Sequence, residues 1–239
     1  MNDEPRLESR GPFPQFFMRM FRTSLLLLAL TTAPLLPLAA AGPGLAGRVE
    51  GRMYIAPTGA YRLPVPVLPE LGGSISDTEN VVTFQDQFSL HVSIGVFPQD
   101  ATHRWELSTR GLKDYLGYFF GGFVMPDFRL AFPGGRVESV GFSPDVMGGA
   151  LFAYTLLPGG SMFEAKRAIL GAGGSPLEAK RGNLIFVRNG VIYVLTTELA
   201  ERVTERSSYH KTTEEENQIL RDRLVALVRT MEFSRPATP

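Results

Sequence analysis

The chain has 239 residues, 44% of them hydrophobic and 20% charged, with 24 Lys and Arg set against 24 Asp and Glu. This is an ordinary globular composition, and the balanced charge excludes a global field drawing the protein onto nucleic acid or an anionic membrane. Cysteine is absent, which excludes disulfides, a thiol nucleophile, a lipid-modified cysteine and a cysteine-based zinc site. The fold therefore has to rest on core packing, which a chain of this length can supply.

The first segment reads as a targeting signal. Met18-Arg19-Met20-Phe21-Arg22 is basic, Leu25 to Leu30 begins an apolar run, and Ala39-Ala40-Ala41 supplies small residues suited to cleavage; this is the anatomy of a secretory signal peptide. An uncleaved anchor is the alternative, but Thr31, Thr32, Pro34 and Pro37 interrupt the run before roughly twenty apolar residues accumulate. The sequence thus predicts a protein exported to the periplasm or beyond, cut near Ala41, with no stable membrane span afterwards. Asp3, Glu4 and Glu8 are out of character ahead of such a signal, so Met18 or Met20 is the expected start. The expected plan is an N-terminal extension and signal over 1–41, a linker over 42–50, one domain over 51–233 and a tail over 234–239.

Within the domain, Arg52 to Ile55 and Tyr61 to Leu63 read as paired strands around an Ala56-Pro57-Thr58-Gly59 turn. The proline-rich stretch Pro64 to Pro69 cannot donate a regular ladder and reads as an edge or loop, and Asp77 to Asn80 as a turn. From Val81, Val82 and Phe84, then Phe88, Leu90, Val92, Ile94 and Val96, alternate with their neighbours at the period of a half-buried antiparallel strand that Pro98 ends. On this reading His91 lies on the polar face and is exposed.

Leu112, Tyr115, Leu116, Phe119, Phe120 and Phe123 then fall at helical spacing, with Ser108 or Thr109 as the cap and Pro126 beyond the end. Gly117, Gly121 and Gly122 each cost about 1 kcal/mol of helix propensity, so a close packing partner is expected there. Arg136 to Val140 and Ala150 to Leu157 read as further strands. Gly159 to Arg167 recurs fourteen residues later as Gly173 to Arg181 with seven of nine positions identical; two copies are too few for a solenoid, and the stretch reads as a local duplication in a connector.

Leu184 to Val187 and Val191 to Leu195 are joined by Asn189-Gly190, a strong hairpin signal. A two-residue turn sets Arg188 opposite Val191, Phe186 opposite Tyr193 and Val187 opposite Ile192. Both faces are apolar, so this hairpin is expected at the centre of a sheet with cover on each side. A capping-box pattern from Thr212 and Thr213 to Glu215 and Glu216 opens a last helix with Leu220, Leu224, Leu227, Val228 and Met231 on its apolar stripe. The expected fold class is α+β, a mainly antiparallel sheet covered by two principal helices.

Chemistry is less legible. His91, His103 and His210 lack metal-ligand spacing, no Gly-x-Ser-x-Gly or Ser-x-x-Lys motif stands out, and Gly171 to Gly174 lacks the ending of a phosphate loop. No catalytic residue, metal or cofactor is assigned. The candidates for partner binding are Arg104 and Trp105, a charged and aromatic pair, and the duplicated Lys166-Arg167 and Lys180-Arg181, which would present four cations if the two copies lay side by side. The plainer alternatives are a Trp that pins the helix start to the sheet and cations on a solvated face.

The order of elements resembles the PsbP-like α/β/α sandwich, shared by a photosystem II extrinsic protein and a Ran-binding import factor. The resemblance rests on Gly59-Ala60-Tyr61-Arg62-Leu63-Pro64, Val82-Thr83-Phe84-Gln85-Asp86, the late hairpin and Leu227 to Phe233, and spans Arg52 to Phe233. These are packing signals, so no functional residue is carried over, and what the resemblance implies is an adaptor or assembly factor without catalysis. The leading expectation is accordingly a non-catalytic interaction module that binds another protein of the cell envelope. An enzyme, a hydrolase for example, whose residues converge only in the fold is the alternative, and a pocket gathering His91 or His103 with Asp or Glu would favour it.

Overall fold

Asn189 and Gly190 take φ of 53° and 75°, the left-handed pair that a two-residue hairpin turn of the favoured hand demands. This computed structural model describes residues 44–163, 178–205 and 208–234, all belonging to the compact unit Gly42–Pro239. Around the turn, strands β9 (Glu178–Arg188) and β10 (Val191–Glu198) pair with Arg188 opposite Val191, Val187 opposite Ile192 and Phe186 opposite Tyr193. The Phe186 and Tyr193 rings stack at 5.1 Å, 11° apart.

The hairpin sits near the middle of a seven-stranded antiparallel sheet. Its remaining strands are β4 (Ser74–Asp77), β5 (Val81–Gln85), β6 (His91–Pro98), β7 (Arg136–Ser143) and β8 (Ala150–Pro158), in the order β4-β5-β6-β10-β9-β8-β7. A second sheet of four short strands, β1 (Arg48–Glu50), β2 (Met53–Ile55), β3 (Tyr61–Pro64) and β11 (Glu232–Phe233), runs β1-β2-β3-β11. β1 draws three residues from the expected linker, pairing Val49 with Tyr54, and Ala46 and Gly47 donate their N–H groups to the Asp77 carboxylate at 2.8 Å each.

Both faces of the large sheet are covered, as expected of a central apolar hairpin. Leu184, Phe186, Tyr193 and Leu195 pack with Tyr54, Tyr61 and Leu63 of the small sheet and with Leu220, Leu224 and Val228 of the long helix over Thr213–Thr230. Ile185, Ile192 and Val194 pack on the opposite face against Tyr115, Leu116, Phe119 and Phe120. The result is a helix layer, a sheet, and a mixed layer of helix and small sheet: α+β, with antiparallel pairing throughout. The capping box forms at Thr212, whose hydroxyl accepts from the Glu215 N–H at 3.2 Å while the Glu215 carboxylate accepts from the Thr212 N–H at 2.8 Å.

The helix layer departs from the expected single helix. It comprises α1 (Ala101–Arg110), α2 (Leu112–Phe119), a π-helical turn over Phe120–Val124 and α3 (Met125–Ala131). The first helix starts earlier than the apolar stripe because Asp100 caps it, accepting the His103 N–H at 2.7 Å. Gly111, at φ 77°, lets the chain bend between α1 and α2. Pro126 occupies the first turn of α3, where its missing N–H costs nothing. Among the described residues, nothing beyond the helix's own backbone and chain neighbours lies within 4 Å of where a Cβ would stand on Gly117, Gly121 or Gly122, so no described partner explains those glycines. Strand β6 begins at His91 rather than Phe88 because the Asp86 carboxylate collects the N–H groups of Phe88, Ser89 and Leu90 at 2.7–2.9 Å and holds them in a turn. The long helix, numbered α5, follows a short α4 (Glu201–Thr204).

Candidate functional site

The helix layer does not cover the whole of its sheet face. Alternation along β6 and β10 turns Phe97, Gly95 and Ser93, and Val194 and Thr196, toward the helices, and α2 covers the apolar end of these rows. Beyond it a cavity of about 580 Å³ opens between β5, β6, β10 and the run from the π turn into α3. This volume lies in the range of small-molecule sites. Phe97, Phe119, Phe123 and Phe128 wall it, Ser93 and Thr196 are in its lining, and Asp100, His103 and Asp127 also line it. The Phe119 and Phe123 rings stack at 5.2 Å and Phe97 meets Phe119 at 5.8 Å. His103 packs edge-on against Phe119 and Phe123 at 5.5 and 5.1 Å, and its Nδ1 is buried without a hydrogen bond.

One residue shapes the floor. A Cβ at Gly95 would stand 2.8 Å from the Phe97 Cε2, closer than carbon atoms pack, so the missing side chain is what lets the Phe97 ring lie back along its own strand.

Further down the same sheet face the lining turns polar and the space closes. Arg181 is buried, with its Nε 3.4 Å from the Glu198 carboxylate, and its Nη2 donates to the Gly160 carbonyl at 2.6 Å. Glu198, also buried, accepts from the Ser161 hydroxyl at 2.6 Å and the Met162 N–H at 3.1 Å. The pair thus clamps the 160–162 backbone onto the sheet. Arg181 also lies over the Phe128 and Phe132 rings at 5.9 and 5.4 Å. His91, on the same strand face, is buried as well; burial, with the Arg181 charge adding, pushes its pKa down to about 3. It is therefore the neutral, enclosed imidazole that the strand's alternation failed to indicate.

The opposite sheet face holds a second buried cation. Lys180 is fully buried, 2.5 Å from the Glu138 carboxylate and 3.0 Å from that of Glu216. Glu216 also accepts from the Tyr209 hydroxyl at 2.7 Å and pairs with Arg202 at 3.4 Å. Glu138 reaches Lys180 because it is the residue skipped between Val137 and Ser139 where the β7–β8 register shifts, and a bulge re-aims its side chain.

The sequence candidates are therefore dispersed. Lys180 and Arg181 are internal, facing opposite sides of one strand, so neither contributes to a surface cationic patch; a carboxylate partner for each was the missing signal, and those partners come from β7, β10 and α5. Lys166 and Arg167 lie outside the described residues. Arg104 is exposed with its guanidinium on the Gln99 carbonyl at 2.5 Å, and Trp105 is 62% exposed rather than pinned to the sheet. His103 reaches the cavity, whereas His91 does not line it and His210 is exposed. Among the described residues no cluster of His, Asp and Glu is arranged to hold a metal ion, and no helix is long and apolar enough to cross a membrane.

No protein-family model matches this chain, and no curated protein does. Solved structures do. The chain is similar to cyanobacterial PsbP (CyanoP) from Synechocystis sp. PCC 6803, with a TM-score of 0.46 and 14% identity over 83% of this chain and 99% of that one. It is also similar to the Ran-binding protein Mog1p of Saccharomyces cerevisiae, with a TM-score of 0.45 and 8% identity over 80% of this chain and 96% of the other. The likeness is one of architecture, a PsbP-like arrangement of strands and helices, and no residue of either protein is transferred onto this chain.

Proposed function

We propose that this chain is an exported, non-catalytic interaction or assembly module of the cell envelope, released from its leader near Ala41, that binds another protein through the outer surface of helices α1 to α3. The observation that carries the reading is the outward display of large apolar side chains on that layer: Leu130 is 85% exposed and Trp105 62%. A layer whose inner side already buries Tyr115, Leu116 and Phe119 has no packing need for these, and aromatic groups of this kind are the usual anchors of protein interfaces. A stoichiometric partner that co-purifies with the tagged protein from the envelope fraction and is lost on Trp105→Ala or Leu130→Ser supports the proposal. Partner recovery unchanged by both substitutions, or no partner at all, contradicts it.

A second reading, an enzyme of hydrolase type, is favoured by one observation: His103, Asp100 and Asp127 line the same cavity. Turnover of chromogenic esters, phosphates or amides that is abolished by His103→Ala would replace the first reading with this one.

A further inference from the structure

We propose that the cavity beneath the helix layer binds a small organic cation, an apolar or aromatic body carrying an ammonium group. This inference is independent of the protein partner, because it concerns the inner side of that layer. Three features of the lining converge on it. The walls are four phenylalanine rings, Phe97, Phe119, Phe123 and Phe128; Phe128 already has the Arg181 guanidinium over it at 5.9 Å, and the other three supply ring faces whose quadrupole attracts cations.

The charged lining residues are the second feature. They are Asp100 and Asp127, and no Lys or Arg joins them. An anionic ligand would meet two like charges with no counter-ion, whereas an ammonium group is matched. Asp127 makes no hydrogen bond or ion pair among the described residues. Asp100 spends one oxygen on the His103 N–H at 2.7 Å, and a carboxylate has a second.

The third feature is the floor. The Thr196 hydroxyl donates its proton to Asn183 Oδ1 at 2.8 Å, so what it offers a ligand is an acceptor, the polarity that an ammonium donor needs. Gly95 keeps this floor open by letting the Phe97 ring lie back; a methyl group there would drive the ring into the space.

The test titrates the mature protein with 2-phenylethylammonium, the neutral 2-phenylethanol and the anionic 3-phenylpropionate, followed by ligand-observed NMR and calorimetry. The account predicts saturable one-site binding of the cation, binding of the alcohol about tenfold weaker, and none of the acid. Asp127→Asn should weaken the cation about tenfold while leaving the alcohol and the melting temperature unchanged, and Gly95→Ala should weaken both ligands. No saturable binding of the cation, equal affinity for cation and alcohol, or a cation affinity indifferent to Asp127→Asn would each overturn the proposal.

Discussion

Lys180 and Arg181 are neighbours in the chain and point to opposite faces of the sheet, as successive strand residues must. Each is a buried cation held by carboxylates from other elements, Glu138 and Glu216 for one and Glu198 for the other. A buried pair is costly to assemble and more costly to halve. Lys180→Met is therefore expected to destabilise the domain by about 3–5 kcal/mol in urea unfolding, because Glu138 loses its cation and Glu216 is left with Arg202 alone. Adding Glu216→Gln should restore part of the loss; a single-mutant cost below about 1 kcal/mol would show the pair to be solvated.

His91 gives the residue scale its pH dependence. Its folded pKa, about 3, lies below the ordinary histidine value of 6.5, so between those values the unfolded chain binds a proton that the folded one refuses. The sign follows: stability is unaffected above pH 6.5 and falls as pH drops toward 3. By pH 5 the loss is about 2 kcal/mol relative to pH 8, and it should disappear from the pH profile of His91→Leu. None of this was legible in the sequence, where charge beside a glycine-rich connector reads as surface and a histidine among alternating residues reads as exposed. The carboxylates that reverse the first reading lie 17 to 42 positions away and the Arg181 that acts on His91 lies 90 away, and single-sequence periodicity carries no such information.

At the scale of elements, the local chemistry was decisive where it was strong. Asn189-Gly190 fixes both the turn and the register, and the Thr212–Glu215 box marks the start of α5 where the sequence puts it. The helix layer was only half legible, since its apolar stripe marks α2 while the Asp100 cap, the Gly111 joint and the π turn divide it into pieces. Glycine separates the two cases quantitatively. On Gly117, in α2, a methyl group meets open space, so Gly117→Ala should stabilise by about 1 kcal/mol through helix propensity and unfolded-state entropy. On Gly182, in β9, the same methyl would stand 2.9 Å from the Leu220 Cβ and 3.2 Å from Leu224 Cδ1. There the helix backbone must move, and Gly182→Ala should cost about 1–3 kcal/mol. Opposite signs in thermal or urea melts are the expected result; equal signs would mean that α5 does not rest on β9 as closely as described.

At the scale of the molecule, antiparallel strands fill the sheet, helices cover one face and a helix with a small second sheet covers the other. That plan was readable because it depends on apolar periodicity, which each segment carries in its own residues. The proposed functional surfaces were not, because they depend on what the fold leaves uncovered: the cavity exists where α2 stops short of the polar end of β6 and β10, and the outward Trp105 and Leu130 stand out only once Tyr115, Leu116 and Phe119 are seen to fill the packing side of their layer.

The central claim, that the outer surface of α1 to α3 is where a protein partner sits, is tested most directly by photo-crosslinking in living cells. A photoreactive amino acid at position 105 or 130 is predicted to give one discrete adduct with a second protein, and the same group at position 48, in the small sheet, to give none. Adducts from position 48 alone, or from none of the three, would contradict the account.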